Sequence, residues 1–176
     1  MGIMTHDRMG VEGYWNIQVI DATKFASNDS IEDWIRSFPH SQPQYHPWVL
    51  SSQARRKNKI VDTGLAYLGL MVKGSAAVPT DVGVGTDATS PVAGDTALGT
   101  QVFADAITQR LNLTAGVRIR FLLPTTAANG SSLVEAGIIG PSPDLRLLSR
   151  VTHGAIAKSS TVAINYTWDL TFAEVP

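Results

Sequence analysis

The sequence lacks cysteine and is short of charge. None of its 176 residues is a cysteine, which excludes a disulfide framework, a thiolate metal site and a cysteine nucleophile. Charged residues make up 16% of the chain, below the roughly 25% of typical soluble domains. With a formal net charge of -1, the chain lacks the basic surface that nucleic-acid binding requires. Low charge is instead typical of surfaces that pack against neighbours.

Long apolar runs are missing too. The longest, residues 65–72, has eight residues, far fewer than the ~20 that cross a bilayer. Residues 1–10 contain no apolar stretch, so they do not resemble a secretory signal. We therefore expect no membrane segment. The length predicts a single domain over 1–176, with an amino-terminal strand and arm in 1–60 and the main sandwich in 61–176.

Alternation of apolar and polar residues predicts that most of the chain is β-strand. The longest alternation lies in a strand predicted over 161–173, with these residues on its buried face: Val162, Ile164, Tyr166, Trp168, Leu170 and Phe172. Further strands are predicted over 14–20, 81–84, 117–123, 133–139 and 145–152. The four strands nearest the carboxy terminus are expected to form a meander, namely 117–123, 133–139, 145–152 and 161–173. Asn129 and Gly130 are expected in a hairpin turn between the first two. The predicted fold is an all-β, antiparallel, jelly-roll-like β-sandwich.

Two short helices are predicted between the strands. Ile31, Trp34 and Ile35 share one helical face, which predicts a helix over 31–36 capped by Asp29 or Ser30. A second helix is predicted over 64–72, with Thr63 as its cap. Its buried face is expected to contain Leu65, Leu68, Met71 and Val72.

A proline-rich stretch, residues 38–48, predicts an extended arm, and we expect a neighbouring subunit to order residues 38–59. Aromatic residues and arginine are over-represented at interface hot spots. The interface candidates are Trp34, Tyr45, Trp48, Arg55, Arg56, Lys57 and Lys59. The aromatic candidates are either lids of the core or interface anchors. The basic candidates lie in a solvated loop, contact an acidic surface of a partner, or contact nucleic acid.

Nucleotide-binding and hydrolase motifs are incomplete. Gly83 and Gly85 lie at the end of the strand predicted over 81–84, but position 88 is alanine, where a dinucleotide-binding loop needs its third glycine. We expect these glycines in a structural turn. The sequence contains no G-x-S-x-G, so it gives no indication of a hydrolase nucleophile.

Acidic residues and histidines form no ligand pattern either. Asp81, Asp87 and Asp95 are spaced by six and eight residues, unlike the alternating ligands of a calcium loop, and are expected to be solvated or to cap turns. Glu135 is expected to face outward from its strand. The four histidines are too scattered for a metal site. We predict a non-enzymatic protein with no metal and no cofactor.

The order of several short segments resembles a known family. The segments are IDAT (20–23), NKIVDTGL (58–65), VGVGTDATSP (82–91), DTALG (95–99), FLLP (121–124), NG (129–130) and LVEAGI (133–138). In this order they resemble a family of small tailed-bacteriophage structural proteins, found as tail-associated or baseplate-associated subunits and fibre-base domains. The resemblance covers about residues 11–173 and brings no catalytic residue with it.

The resemblance implies a structural protein of a bacteriophage virion, assembled in the host bacterial cytoplasm. Its place would be the tail, the baseplate or the fibre attachment region, and its partners would be other virion proteins and copies of itself, with a trimer expected. Similar surfaces would suit a capsid decoration protein that cements the head lattice. A host-glycan-binding module, with Tyr45 and Trp48 stacking on sugar, is the second alternative.

Overall fold

Strands dominate the protein, and two short helices interrupt them. The computed structural model describes residues 8–38, 46–141 and 146–175. The strands are β1 (Arg8–Asp21), β2 (Val49–Lys57), β3 (Lys59–Ile60), β4 (Asp81–Gly85), β5 (Gln101–Ala106), β6 (Gln109–Leu113), β7 (Gly116–Leu123), β8 (Ser132–Ile139), β9 (Leu147–Ala157) and β10 (Val162–Val175). The helices are α1 (Asn28–Arg36) and α2 (Asp62–Val72). Neither helix of the described chain has the length and apolarity needed to span a bilayer.

The strands form two five-stranded sheets. Sheet A has the order β2-β1-β10-β7-β6, and sheet B has the order β3-β9-β8-β4-β5. All pairings are antiparallel. β1 and β10 pair along their whole length, from Arg8 opposite Val175 to Asp21 opposite Val162. The predicted all-β antiparallel sandwich is confirmed, and its first and last described strands are neighbours.

The main core lies between the two sheets. Ile164, Tyr166 and Trp168 of β10 are buried there, as the alternation predicted. They belong to one cluster with sheet B residues such as Val84 and Ile138. Large apolar side chains from both inner faces therefore fill the space between the sheets.

Two parts of the predicted alternation in β10 are wrong. Phe172, expected in the core, is 44% exposed. On the opposite face, expected to be exposed, Ala163 and Thr167 are buried. The reason at Ala163 is α1, whose Ile31 and Ile35 cover this outer face of sheet A. A helix packed on the outer face removes the contrast between the two faces of the strand.

The predicted meander is also wrong, because β7 and β8 belong to different sheets. Asn129 and Gly130 do lie in a turn, with Gly130 at a φ of 83°. That turn belongs to the connection that crosses from sheet A to sheet B, where Gly130 N–H donates to the Lys158 carbonyl. Alternation reports which residues share a face, whereas sheet membership depends on pairing between distant segments.

Helix α1 begins earlier than predicted. Its N-cap is Ser27, whose hydroxyl accepts from the Ser30 N–H while the Ser30 hydroxyl accepts from the Ser27 N–H. This reciprocal capping box satisfies two amide groups that the helix leaves without partners. Asp29, expected as a cap, lies in the first turn instead.

Helix α2 begins two residues earlier than predicted, at Asp62, and has a different buried face. Gly64 and Tyr67 are buried, whereas Leu65 is exposed and Val72 is 90% exposed. A Cβ on Gly64 would overlap the Leu148 carbonyl oxygen, so glycine lets the helix lie directly on β9. Thr63 is not the cap, because the N-cap is Val61 and Thr63 lies within the first turn; its hydroxyl donates to the Leu147 carbonyl at 3.1 Å.

Residues 49–57, expected in an arm ordered by a neighbouring subunit, form β2 of the same chain. This strand pairs with β1, from Tyr14 opposite Lys57 to Ile20 opposite Val49. The expectation is therefore wrong for this segment. Residues 39–45 of the predicted arm lie outside the described residues.

Candidate functional site

The interface candidates lie at the two ends of an edge strand. β2 is the outer strand of sheet A; Trp48 precedes it, Arg56 and Lys57 end it, and Lys59 begins β3. Its nine residues span about 26 Å at ~3.3 Å per residue. Tyr45 lies outside the described residues, and Arg55 is described only as a backbone position in β2. The candidates thus fall into two separate surfaces.

The first surface is an aromatic cluster near the start of β2. Its members are Phe25, Trp34, Phe38, His46 and Trp48, all half-buried. The rings of Trp34 and Trp48 are 5.7 Å apart, and those of His46 and Trp48 are 4.6 Å apart. Phe25 contacts Trp48 edge-on at 4.9 Å. Such tilted and edge-on pairs are the favoured geometry of aromatic side chains.

Arg120 of β7 helps to position this cluster. Its guanidinium donates to the Ile35 carbonyl at 3.0 Å and to the Phe38 carbonyl. These carbonyls lie in and just beyond the last turn of α1, where a cation also stabilises the helix dipole. Burial, together with the nearby charge of Arg118, lowers the pKa of Arg120 to about 10, so it stays a cation at neutral pH. Arg120 thereby holds the end of the helix that carries Trp34.

The second surface is a basic groove where the chain passes from sheet A to sheet B. It encloses about 370 Å³, and it is lined by Arg56, Lys57 and Lys59 together with Trp15, Asn58, Pro91, Arg150, Val151 and Thr152. Lys57 Nζ donates to Glu12 at 3.3 Å. Within the described ranges, neither Arg56 nor Lys59 has an ion pair.

Asn58 is the polar residue at the turn of this groove. Its backbone N–H donates to the Gly13 carbonyl at 2.9 Å. Both its side-chain amide atoms are buried and have no hydrogen-bond partner among the residues that the structure describes. A buried amide without partners costs free energy.

Beside this groove, the side chain of Gln53 in β2 of sheet A is hydrogen-bonded to the backbone of Gly154 in β9 of sheet B. Gln53 Nε2 donates to the Gly154 carbonyl at 3.1 Å, and Gly154 N–H donates to Gln53 Oε1 at 3.1 Å. This primary amide reproduces the two hydrogen bonds of a strand pair. His153 lies next to this contact, with its ring 6.1 Å from Trp15 and 5.8 Å from Tyr166. Burial lowers the pKa of His153.

A buried ion network lies behind the groove, centred on Arg150. Arg150 is 3% exposed, and its guanidinium donates to Glu135 at 2.9 Å, Asp95 at 3.1 Å and Asp87 at 2.9 Å. Burial alone would disfavour the charged guanidinium, but hydrogen bonds to Asp95 and Glu135 raise the pKa of Arg150. Hydrogen bonds from Thr89, followed by the effect of Arg150, lower the pKa of Asp87.

Glu135 differs most from its predicted role. Instead of facing outward it is 0% exposed, and it accepts from the Gly99 N–H at 3.0 Å and the Thr100 N–H at 2.7 Å as well as from Arg150. Gly83 and Gly85 both lie in β4 rather than in a turn, and a Cβ on Gly85 would overlap this carboxylate. The network therefore attaches residues 86–100 to sheet B.

The network is a structural arrangement rather than a metal site. Asp87 and Asp95 contact a cation that the protein itself provides, and no group of three metal-ligating side chains occurs in residues 8–38, 46–141 and 146–175. The sequence offered no signal for this arrangement, because its members come from β8, β9 and a long connection.

A third surface is an apolar groove at the end of the sandwich beside α2. It encloses about 190 Å³, and its lining includes Leu68, Met71, Val78 and Phe172. Arg110 also lines the groove, but its guanidinium donates to the Pro79 carbonyl at 2.7 Å. Val78 and Phe172 are 60% and 44% exposed. Large apolar side chains therefore reach the surface around an apolar depression.

The structure thus brings Trp34 and Trp48 together, gathers Arg56, Lys57 and Lys59 in a groove, and separates the two sets along β2. No protein-family model matches the chain, no curated protein is significantly similar in sequence, and no solved structure is significantly similar in fold. What the protein does must therefore be inferred from these surfaces.

Proposed function

We propose that the chain is a non-enzymatic structural protein of a bacteriophage virion, repeated in the tail, the baseplate or the fibre attachment region. The observation that carries the proposal is the apolar groove beside α2, with Val78 and Phe172 exposed at its rim. Monomeric proteins rarely expose large contiguous apolar patches, and such patches mark surfaces that partners cover. A subunit packed among other virion proteins would have this surface buried.

The energetics of covering the groove favour assembly. Removing apolar surface from water contributes about 25 cal/mol per Å², so even a modest contact over Phe172 and Val78 stabilises a packed state. The low charge of the chain, 16% of its residues, reduces the desolvation cost of further contacts. Repetition of one interface many times is how closed or helical assemblies are built.

The internal contacts of the buried charged side chains support a non-enzymatic role. Among the described residues, Glu135 and Arg150 are the charged pair with the least exposure, and each makes at least three hydrogen bonds or ion pairs inside the protein. A catalytic acid or base must reach its substrate. These two side chains instead hold a connection against sheet B.

The decisive experiment is to look for the chain in purified virus particles. Particles from the bacterial culture that carries the gene are analysed by quantitative mass spectrometry and by electron microscopy with a gold-labelled antibody against the chain. We expect many copies per particle and label at the tail. Label over the head would favour the capsid decoration protein. A chain recovered only in the soluble fraction, and absent from particles, would contradict both structural roles.

The host-glycan-binding alternative depends on the aromatic cluster. Trp48 is half-buried there and contacts three other rings. Binding of the purified chain to host oligosaccharides, lost in Trp48→Ala, would favour this alternative over the structural role.

A further inference from the structure

The outward face of α1 is acidic. Asp29 and Asp33 are four residues apart, both exposed, and they lie opposite the face on which Ile31 and Ile35 are buried. In the part of the chain that the structure describes, neither has an ion pair. Glu32 is different because it pairs with Arg36 within the helix. The helix therefore presents two uncompensated carboxylates to solvent, next to the aromatic cluster that Trp34 joins.

The basic groove carries an excess of positive charge, which complements the acidic face of α1. Arg56 and Lys59 line it without an ion pair, and Asn58 adds a buried amide without a hydrogen-bond partner. The carboxylates that neutralise Arg150 belong to the network behind the groove. Uncompensated cations thus lie at the end of β2, about 26 Å along the strand from Trp48. One molecule cannot bring these two surfaces together.

We propose that the acidic face of α1 in one copy docks on the basic groove of the next copy, head to tail. Asp29 and Asp33 would lie against Arg56 and Lys59. The aromatic cluster beside α1 would be covered by the same contact. This inference rests on the proposed function and names one interface for it. Such a heterologous contact produces a ring if the rotation closes and a filament if it does not.

A second copy is favoured over nucleic acid by the charge of the whole chain. Nucleic-acid binding requires a wide basic field that neutralises several phosphates, but the formal net charge here is -1. The two uncompensated cations of the groove suit a few carboxylates instead, and the chain itself supplies a matching pair on α1. Opposite charges across an interface steer association and set its register.

Association should depend on salt. Solvent-accessible charges are screened over ~10 Å at 0.1 M salt and ~3 Å at 1 M salt. The oligomer measured by sedimentation velocity should therefore weaken between these concentrations. The contribution of the aromatic cluster, which depends on apolar burial, should not weaken in the same way.

Charge reversal tests the contact directly. The groove variant carries Arg56→Glu with Lys59→Glu, and the helix variant carries Asp29→Lys with Asp33→Lys. Each should associate with itself about tenfold or more weakly than the wild type, because like charges then face each other. Lys73→Glu, an exposed reversal after α2, is the matched control and should associate as the wild type does. Thermal melting verifies that each variant is folded.

Mixing the variants distinguishes a head-to-tail contact from other arrangements. The groove variant retains an intact helix face, and the helix variant retains an intact groove. In an equimolar mixture the intact helix face meets the intact groove, and the reversed helix face meets the reversed groove. The mixture should therefore regain head-to-tail association with the two variants alternating, although each variant alone associates weakly. A chain carrying all four substitutions should regain self-association, because its reversed charges again complement each other.

Several results would overturn the inference. They are a wild-type chain that stays monomeric at the highest concentration measured, variants that associate like the wild type, or a mixture that associates no better than either variant alone. Binding of a single-stranded oligonucleotide that is lost only in the groove variant would assign the groove to nucleic acid instead. If the chain is present in particles and charge reversal has no effect, this interface fails while the proposed function stands.

Discussion

Arg150 and Glu135 form a buried ion pair across neighbouring strands of sheet B, with Nε and Oε2 2.9 Å apart. Glu135 also accepts from the backbone N–H groups of Gly99 and Thr100. Through these bonds one carboxylate connects β8, β9 and the segment 86–100. This long segment without regular structure is thereby held in one arrangement.

We expect Glu135→Gln to cost about 1–3 kcal/mol in the free energy of unfolding, because Arg150 loses one of its three carboxylate partners and buried hydrogen bonds of Glu135 are left unmade. The new amide group would also face N–H donors. The matched change is Glu12→Gln, which affects an exposed ion pair with Lys57 and should cost about 0–1 kcal/mol. Urea denaturation of both variants gives the comparison. Equal costs would show that the Glu135 contacts contribute little to stability.

Two glycines of α2 should respond in opposite directions to alanine. A Cβ on Gly64 would overlap the Leu148 carbonyl oxygen, whereas a Cβ on Gly69 would meet nothing within 4 Å. Gly64→Ala should therefore destabilise the protein by about 1–3 kcal/mol or more, as overpacking does. Gly69→Ala should stabilise it by about 0.5–1 kcal/mol through helix propensity. Thermal melting measures both, and a stable Gly64→Ala variant would contradict the close approach of α2 to β9.

His153 should make stability depend on pH just below neutrality. Burial lowers its pKa in the folded protein, so the unfolded chain binds a proton first as the pH falls through about 6.5. Stability is therefore complete above that pH and decreases below it. At pH 5.5 the loss from this residue is at most about 1.4 kcal/mol, one pKa unit.

The pH measurement compares urea denaturation at pH 7.5 and 5.5 in the wild type and in His153→Gln. Most carboxylates stay ionised over this range, so the variant should lose less stability than the wild type. If both lose the same amount, His153 is not responsible for the dependence.

The strands with a clear alternation were predictable because that pattern is local. β7, β8 and β10 have apolar residues at every second position, and the structure confirms each as a strand. β2, β3, β5 and β6 were missed. β5 has no buried residue on either face, so nothing in its apolar pattern could distinguish it from a loop. β2 ends in a basic run, and its partner β1 lies far earlier in the chain.

The candidate surfaces were predictable only as segments. Trp34 and Trp48 could be grouped from their closeness in sequence, and Arg56, Lys57 and Lys59 form one basic run. The sequence could not show that an extended strand separates the two groups. It also gave no indication that Gln53 bonds to Gly154, or that Asp87, Asp95 and Glu135 surround Arg150, because those contacts join residues far apart in the chain.

The amino-acid sequence alone sets the all-β class, the positions of both helices and the low charge of the surface, since each follows from composition or from patterns over a few residues. Tertiary structure decides which strands pair, that α1 buries the outer face of β10, and that Glu135 faces a guanidinium rather than water. The physical reason is that pairing and burial are properties of two or more segments together. An ion pair such as that of Arg150 and Glu135 exists only after the sheet has brought its members within hydrogen-bond distance.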